Sequence, residues 1–382
     1  MALSTSGRLR VMRPMRPSRS KSTFVIFPPP YGSAIERPES PQQREGMMRN
    51  PVTASSDRSF LGWRSTPPAL FPPLLGLLGL GLAWGRAVPV LEALAGPGGA
   101  AAAAALGQLL LGAGTLAAVV FLGLYAARLV ARPALLMADL STPPGRAGVA
   151  AATMSLMLLG VAAAARRPEL ARDILYAGLF LHAGVALATV AALARQGWTA
   201  RLVAPATAHL AFVGEIVAPM GLVATGDAAL AEAIVWLSLA AALVIYGASL
   251  VAARTHALAP PLRPTLAIHL GPVSLIGIGL QLTGHAELSE LFRWLCLAVA
   301  AGLLVGIRWI TAAGFAPTWG AFTFPAAAFT SHMLLAGPGS AWAWLGLAAL
   351  IATTVLNIHV AARVWLMWPG GRLAAATGAR TA

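Results

Sequence analysis

A glutamate lies inside an apolar stretch of the sequence, where an ionisable side chain is unusual. Glu215 occurs in Val-Gly-Glu-Ile-Val-Ala-Pro, four residues before Pro219. Ionisable groups within a membrane-spanning segment are costly to bury and therefore usually mark functional sites. Two interpretations stay open: a pore-facing carboxyl group that is protonated or coupled to proton movement, or a neutral acid that is hydrogen-bonded to a neighbouring helix.

Several of the seven histidines also lie inside or at the edge of apolar stretches, among them His182, His209, His269 and His332. Two metal ligands on one helix face need a spacing of three or four residues, and no two of these histidines have it. A site built from several helices would make the chain a metal- or haem-binding membrane redox protein, which is the alternative function. The simpler interpretation is that each imidazole is a hydrogen-bonded packing residue.

The sequence carries no motif of an enzyme or of an ATP-driven pump. It contains no phosphate-binding glycine loop, no dinucleotide-binding glycine pattern, no zinc-protease signature and no nucleophile elbow. We therefore predict no catalytic residues, no metal site and no cofactor. Arg146 and Arg263 lie at the edges of apolar stretches, where each either attracts anions to a pore mouth or anchors a helix at the interface.

The elements that must position these residues are membrane helices. Of 382 residues, 58% are hydrophobic and 10% are charged, which excludes an ordinary soluble protein. Apolar stretches of about 20 residues, the length that spans a bilayer, predict an all-α membrane protein. We predict ten spans, at about 69–86, 104–127, 147–165, 174–194, 206–226, 230–252, 265–283, 288–310, 317–336 and 341–366.

The net charge of +14 does not indicate a nucleic-acid partner, because of where the charges lie. Residues 1–66 hold 11 of the 27 basic residues, and their Pro, Ser and Arg content predicts a disordered basic tail. A start of translation at Met47 or Met48 is an alternative for this segment. Residues 67–367 form the predicted membrane domain, and 368–382 a short cytoplasmic C-terminal tail.

The other basic residues predict the orientation of the spans. An even number of spans places both termini on one side, and 11 of the 16 basic residues outside the tail fall on that side. Positive charge marks the cytoplasmic side of membrane proteins. Both termini are therefore predicted to be cytoplasmic.

Prolines distinguish four of the five odd-numbered spans from the even-numbered ones, whereas the third span has prolines only at its entrance, Pro143 and Pro144. Interior prolines occur in the first, fifth, seventh and ninth spans, at Pro72, Pro73, Pro219, Pro272 and Pro325, and in none of the even-numbered spans. A proline frees a backbone carbonyl, which a membrane tolerates where neighbouring helices or water bind it. The pattern predicts five helical hairpins, each with a kinked inner helix and a straight outer helix, around a water-lined centre.

Five stretches together resemble the tellurite-resistance/dicarboxylate transporter family, which includes the plant slow-type anion channels of the voltage-dependent anion channel superfamily. The stretches occur in the family's order across about 67–366. They are PPALFPPLLGLLGLGLAW at Pro67–Trp84, YAARLVARPALLMADLSTP at Tyr125–Pro143, VGEIVAP at Val213–Pro219, LRPTLAIHLGP at Leu262–Pro272 and GFAPTWGAFTFP at Gly314–Pro325.

The resemblance implies ten helices in five hairpins around a central pore, and a homotrimer in the inner membrane. It implies passage of small anions such as chloride, nitrate, sulfite or C4-dicarboxylates, and possible tellurite resistance. The family's gate is a phenylalanine in the ninth helix, which by its motif corresponds to Phe324, just before Pro325. An aromatic ring at a narrow point blocks ions until it changes rotamer.

Overall fold

The computed structural model describes residues 63–196 and 203–380. The expected basic tail up to residue 62 lies outside the described residues. The described part is helical, with these α-helices: α1 Phe71–Ala131, α2 Ala134–Leu140, α3 Pro143–Ala163, α4 Pro168–Ala194, α5 Ala208–Phe212, α6 Pro219–Leu222, α7 Ala228–Thr255, α8 Leu270–Leu282, α9 Ala286–Val305, α10 Ile307–Ile310, α11 Gly320–Leu334, α12 Ala341–Trp365 and α13 Arg372–Thr377. Short 3₁₀ helices connect them, at Trp63–Ser65, Pro68–Leu70, Pro205–Thr207, Gly214–Val217, Pro260–His269, Pro317–Trp319 and Pro369–Gly371.

Seven of the described helices are long and apolar enough to cross a membrane. The longest, Pro68–Ala131, contains two predicted spans and is interrupted at Gly96, whose φ of 68° and ψ of −164° are not helical. Residues 71–95 and 97–131 then run back along each other. A Cβ atom at Gly81 would lie 2.7 Å from Cγ of Leu111, which shows how closely the two halves pack.

The fifth and ninth predicted spans differ from single long helices. The fifth, expected at 206–226, consists of 3₁₀ and α-helical pieces that change at Val213 and again at Pro219. Pro219 has no backbone N–H to donate, so it begins a new helix instead of continuing the old one. In the ninth, α11 has 15 residues, or about 22 Å at 1.5 Å per residue.

Burial divides the long helices into two groups. In the most apolar window of α3, 67% of residues are buried, and in Pro260–Leu282 the share is 78%. The corresponding shares are 22% in α4, 33% in α7, 17% in α9 and 33% in α12. The former two therefore lie inside the helical bundle, whereas α4, α7, α9 and α12 present most of their surface outward.

The described part of the C-terminal segment packs against the membrane domain. Leu373 in α13 is fully buried, and the guanidinium of Arg128 donates a 2.6 Å hydrogen bond to the carbonyl oxygen of Arg380. Residues 368–380 are therefore a folded continuation of the domain and not a loose extension.

Candidate functional site

The interior contains a wide cavity that is partly open to the outside, and the space between its lining atoms is about 780 Å³ with open solvent included. No charged side chain of the described residues lines it, and its polar lining side chains are those of His209, Thr265, Thr318 and Thr377. Except for Thr377 of α13 and Pro144 at the start of α3, the lining comes from the first, third, fifth, seventh and ninth predicted spans. The lining residues are Ala69, Pro72, Leu75, Pro144, Ala147, Met154, His209, Leu210, Val213, Gly214, Ile216, Thr265, Ile268, Gly271, Pro272, Leu275, Pro317, Thr318, Gly320, Ala321, Phe324, Pro325 and Thr377.

A narrow cavity is lined by the same five segments, and the space between its lining atoms is about 360 Å³ with open solvent included. Its polar lining side chains are Arg86 and Ser331, and the rest of its lining is apolar or glycine. The lining residues are Gly79, Leu82, Arg86, Leu158, Val161, Met220, Leu275, Ile278, Phe324, Ala327, Ala328 and Ser331.

Phe324 and Leu275 line both cavities, so these two side chains lie between them. Phe324 is 7% exposed and packs against the first segment at Gly79. A Cβ atom at position 79 would lie 2.9 Å from Cδ2 of the ring, which is closer than ordinary van der Waals contact. The ring therefore occupies space that only a glycine at position 79 leaves free.

The first segment presents one helix face along both cavities. Pro72 and Leu75 line the wide cavity, Gly79, Leu82 and Arg86 line the narrow one, and successive members of this set are three or four residues apart. Residues with this spacing lie on one face of an α-helix. The face extends from Pro72 to Arg86, which is 15 residues or about 21 Å along the helix.

The backbone beside Phe324 is held by side chains of neighbouring helices. The Thr323 hydroxyl contacts the carbonyl oxygens of Gly320 and Pro72, at 2.7 and 3.0 Å. Asn357 of α12 donates from its side-chain amide to the carbonyl oxygen of Thr323, at 3.2 Å. Pro325 follows the aromatic residue and donates no backbone hydrogen bond. The backbone of α11 is thus held in place on the N-terminal side of Phe324.

The predicted pore-lining or kink prolines have different positions. Pro72, Pro272 and Pro325 line the wide cavity, whereas Pro73 and Pro219 line neither cavity. Pro73 packs against Gly320 of α11, where an added Cβ would lie 3.2 Å from its Cδ. Pro219 is the first residue of α6, after the break in the fifth segment.

Arg146 and Arg263, considered above for an anion-attracting mouth, line neither cavity. Arg146 is 3% exposed and donates to the carbonyl oxygen of Leu140 at 3.3 Å. Arg263 donates to the carbonyl oxygens of Leu258 and Trp309 and lies over the Trp309 ring, 4.2 Å from its centroid. Both guanidinium groups are therefore bound by the protein itself.

Glu215 likewise does not line either cavity, although its neighbours Gly214 and Ile216 line the wide one. Its carboxylate accepts a 3.2 Å hydrogen bond from the Ser238 hydroxyl of α7 and lies 3.7 Å from Nε2 of His182 in α4. The other ring nitrogen of His182 lies 2.7 Å from the hydroxyl of Thr153 in α3. A carboxylate and an imidazole are thus paired behind the wall of the wide cavity.

The four histidines do not converge on one site. His209 and His269 lie together, with 3.1 Å between Nε2 and Nδ1, whereas His182 faces Glu215. His332 contacts the Ser289 hydroxyl at 3.1 Å. Among the described residues, no group of three or more His, Cys, Asp or Glu side chains is arranged to hold a metal ion. The four histidines considered for the alternative function therefore lie at three separate places.

A buried ion pair was not anticipated from the sequence. Arg128, which is fully buried at the end of α1, donates to Asp139 of α2 at 2.6 Å, and the Tyr125 hydroxyl donates to the same carboxylate at 2.9 Å. These three residues all lie in the second of the stretches that carry the family resemblance. Their role is to fix the end of α1 against α2 and, through Arg380, against the C-terminal segment.

Comparison with known proteins assigns the chain to a family. Residues 65–365 match the family described as SLAC1, voltage-dependent anion channel. No curated protein matches the chain significantly. The match covers most of the 382 residues, including both cavities except Thr377, and anion transport across a membrane is the function that the family supports. The resemblance inferred from the five stretches is thereby confirmed: the chain belongs to the voltage-dependent anion channel family.

Proposed function

We propose that this protein is an anion channel or carrier whose pore runs through the wide and narrow cavities and is closed by Phe324. The observation that carries the proposal is the position of Phe324 between two cavities lined by the same five segments. Transport is driven by the anion's own gradient and requires no ATP. In the closed state, the ring blocks ions sterically and keeps the constriction dry.

The architecture that we propose for this function has ten membrane spans arranged as five hairpins. The burial of the helices supports this arrangement, because α3 and Pro260–Leu282 lie inside and α4, α7, α9 and α12 lie outside. The inner helices then form the pore wall, and the outer helices contact lipid. The proline-broken segments, such as the one that ends at Pro219, supply flexible backbone at membrane depth where it is buried in protein.

The lining explains a preference for anions without a ring of positive charge. No carboxylate of the described residues lines either cavity, and the one charged lining side chain is the guanidinium of Arg86. A mostly apolar wall favours anions that lose water readily, and the absence of lining carboxylates avoids repulsion. Small inorganic anions and C4-dicarboxylates are the substrate classes that we propose, with tellurite resistance as a consequence of oxyanion passage.

The proposed assembly is a homotrimer in the inner membrane, with both termini cytoplasmic. Large apolar side chains on the outer helices support embedding in lipid and contact between protomers, since Phe180 is 80% exposed and Val305 is 89% exposed in the single chain. The distribution of arginines supports the orientation. Native mass spectrometry in a mild detergent tests the trimer, and accessibility of a terminal tag in right-side-out vesicles tests the orientation.

The experiment that tests the function is an anion flux assay on proteoliposomes that contain the full-length protein. Chloride, nitrate, sulfite, malate and tellurite are each loaded, and efflux is followed with valinomycin and potassium to set the membrane potential. We expect potential-dependent efflux of at least one anion and none of sodium. Efflux no faster than from protein-free vesicles for every anion, with the protein folded, would contradict the proposal.

A further inference from the structure

We propose that Arg86 and Ser331 form an anion-binding site in the narrow cavity, beyond Phe324. This inference rests on the proposed function, because it assigns a binding site on the same permeation path. Both side chains line the narrow cavity, and no carboxylate of the described residues lines it with them. The site would take a small inorganic oxyanion, a carboxylate or a halide.

The first observation is that Arg86 has no partner among the residues that the structure describes. Five arginines of the described chain are buried or half-buried: Arg86, Arg128, Arg146, Arg263 and Arg293. Arg128 and Arg293 are paired with carboxylates at 2.6 and 2.7 Å, and Arg146 and Arg263 donate to backbone carbonyl oxygens. Within the described ranges 63–196 and 203–380, Arg86 has neither an ion pair nor a side-chain hydrogen bond. A partly desolvated charge without a counter-charge is costly.

The second observation is the position of Ser331. Its side chain lines the same cavity and is 7% exposed, and its hydroxyl makes no hydrogen bond with another residue of the described part. The cavity thus contains one unpaired cationic donor and one unpaired hydroxyl. An anion between them would accept hydrogen bonds from both groups and supply the missing counter-charge.

The third observation is that the two residues occur at matching depths. Arg86 follows Gly79 by seven residues, and Ser331 follows Phe324 by seven residues. Gly79 contacts the Phe324 ring, so each polar residue lies two helical turns, or about 10 Å, from the constriction along its helix. An anion that moves along the pore would therefore bind there immediately before or immediately after it passes the constriction.

The chemistry of the guanidinium decides the class of ligand. Its planar fork of N–H donors matches the two oxygens of nitrate or a carboxylate better than it matches a spherical ion. We therefore expect nitrate and malate to bind more tightly than chloride. Binding must stay weak enough for release, which a single arginine in a cavity open to water allows.

Binding can be measured without transport, through the thermal stability of the purified full-length protein. The probe is sodium nitrate exchanged for sodium gluconate at constant ionic strength, followed by the unfolding temperature. A ligand that binds the folded state raises this temperature in a saturable way. The variants are Arg86→Gln, Arg86→Lys and Ser331→Ala, and the control is Arg172→Gln, which removes an exposed arginine that lines neither cavity.

We expect a saturable rise with nitrate for the original protein and for Arg172→Gln. Arg86→Gln should weaken binding at least about tenfold, as expected for loss of a charge-assisted hydrogen bond, while Arg86→Lys retains a weaker response and Ser331→Ala an intermediate one. An unchanged nitrate response in Arg86→Gln, or no saturable response in the original protein, would overturn the site. If Arg86→Gln does not fold, Arg86→Lys and Ser331→Ala decide, and a nitrate response unchanged in both overturns it.

The outcome is separable from that of the proposed function. If Arg86→Gln loses the nitrate response and no vesicle experiment shows anion flux, the binding site is supported and the channel function is contradicted. The reverse outcome has two parts: anion flux increases in Phe324→Ala, and the dependence of flux on anion concentration is the same in Arg86→Gln as in the original protein. That outcome would support the channel and contradict the binding site.

Discussion

Gly79 and Phe324 touch across the first and ninth segments so closely that the smallest side chain at position 79 would displace the ring. The added Cβ would lie 2.9 Å from Cδ2 of Phe324 and 3.2 Å from Cβ of Ala327. The glycine therefore defines where the ring rests, and the ring separates the two cavities. The closed state depends on this contact as much as on the aromatic residue itself.

Substitution Gly79→Ala should raise anion flux, because the methyl group pushes the Phe324 ring out of its resting position. We expect an increase of several-fold, smaller than that produced by removal of the ring, measured by chloride or nitrate efflux from proteoliposomes. The matched control is Gly85→Ala in the same helix, where an added Cβ meets nothing within 4 Å. A flux in Gly79→Ala equal to that in Gly85→Ala would show that the contact does not hold the gate.

The pair formed by Glu215 and His182 should make flux depend on pH. A proton on the Glu215 carboxylate removes negative charge from behind the wall of the wide cavity, so anion flux should rise as pH falls. Glu215→Gln keeps the shape and the contact with Ser238 but carries no charge. Its flux at neutral pH should be higher than that of the original protein, and its pH dependence weaker.

The control for this comparison is Glu232→Gln, because Glu232 is paired with His285 at 2.8 Å but has a half-exposed side chain away from both cavities. Its pH profile should match that of the original protein. If Glu215→Gln also gives an unchanged profile, the carboxyl group has only a packing role.

Substitution Asp139→Asn should destabilise the protein strongly. It removes the charge partner of Arg128, which is fully buried and would keep an uncompensated charge. Breaking such a pair costs about 3–5 kcal/mol, which a thermal unfolding scan in detergent would detect as a clear fall in the unfolding temperature. Glu232→Gln, which breaks an exposed pair, should change the temperature little. Equal effects of the two substitutions would contradict the assigned role of the buried pair.

The apolar stretches indicated an all-α membrane protein because span length is a local property, and seven of the described helices are long and apolar enough to cross a membrane. The helix face from Pro72 to Arg86 was also visible as a spacing of three and four residues. Its function was not evident from the spacing, because an arginine at the end of an apolar stretch is usually an interfacial anchor. The position of Phe324 came from the family resemblance and not from its local pattern.

Contacts between distant segments could not be predicted from one sequence. Arg146 was considered for a pore mouth, but its side chain is buried and donates to Leu140. The direction of the Arg146 side chain depends on the turn before α3, where the Thr142 hydroxyl accepts a hydrogen bond from the backbone N–H of Gly145. The partners of Glu215 come from two other helices, and no local rule specifies such a meeting.

The most direct test of the account is anion efflux from proteoliposomes that contain Phe324→Ala. The control is Phe322→Ala, which removes a neighbouring aromatic side chain that lines neither cavity. We predict that Phe324→Ala raises efflux by about tenfold or more while Phe322→Ala leaves it near the original rate, because only the former joins the wide and narrow cavities. Unchanged or reduced efflux in a folded Phe324→Ala protein would contradict the account.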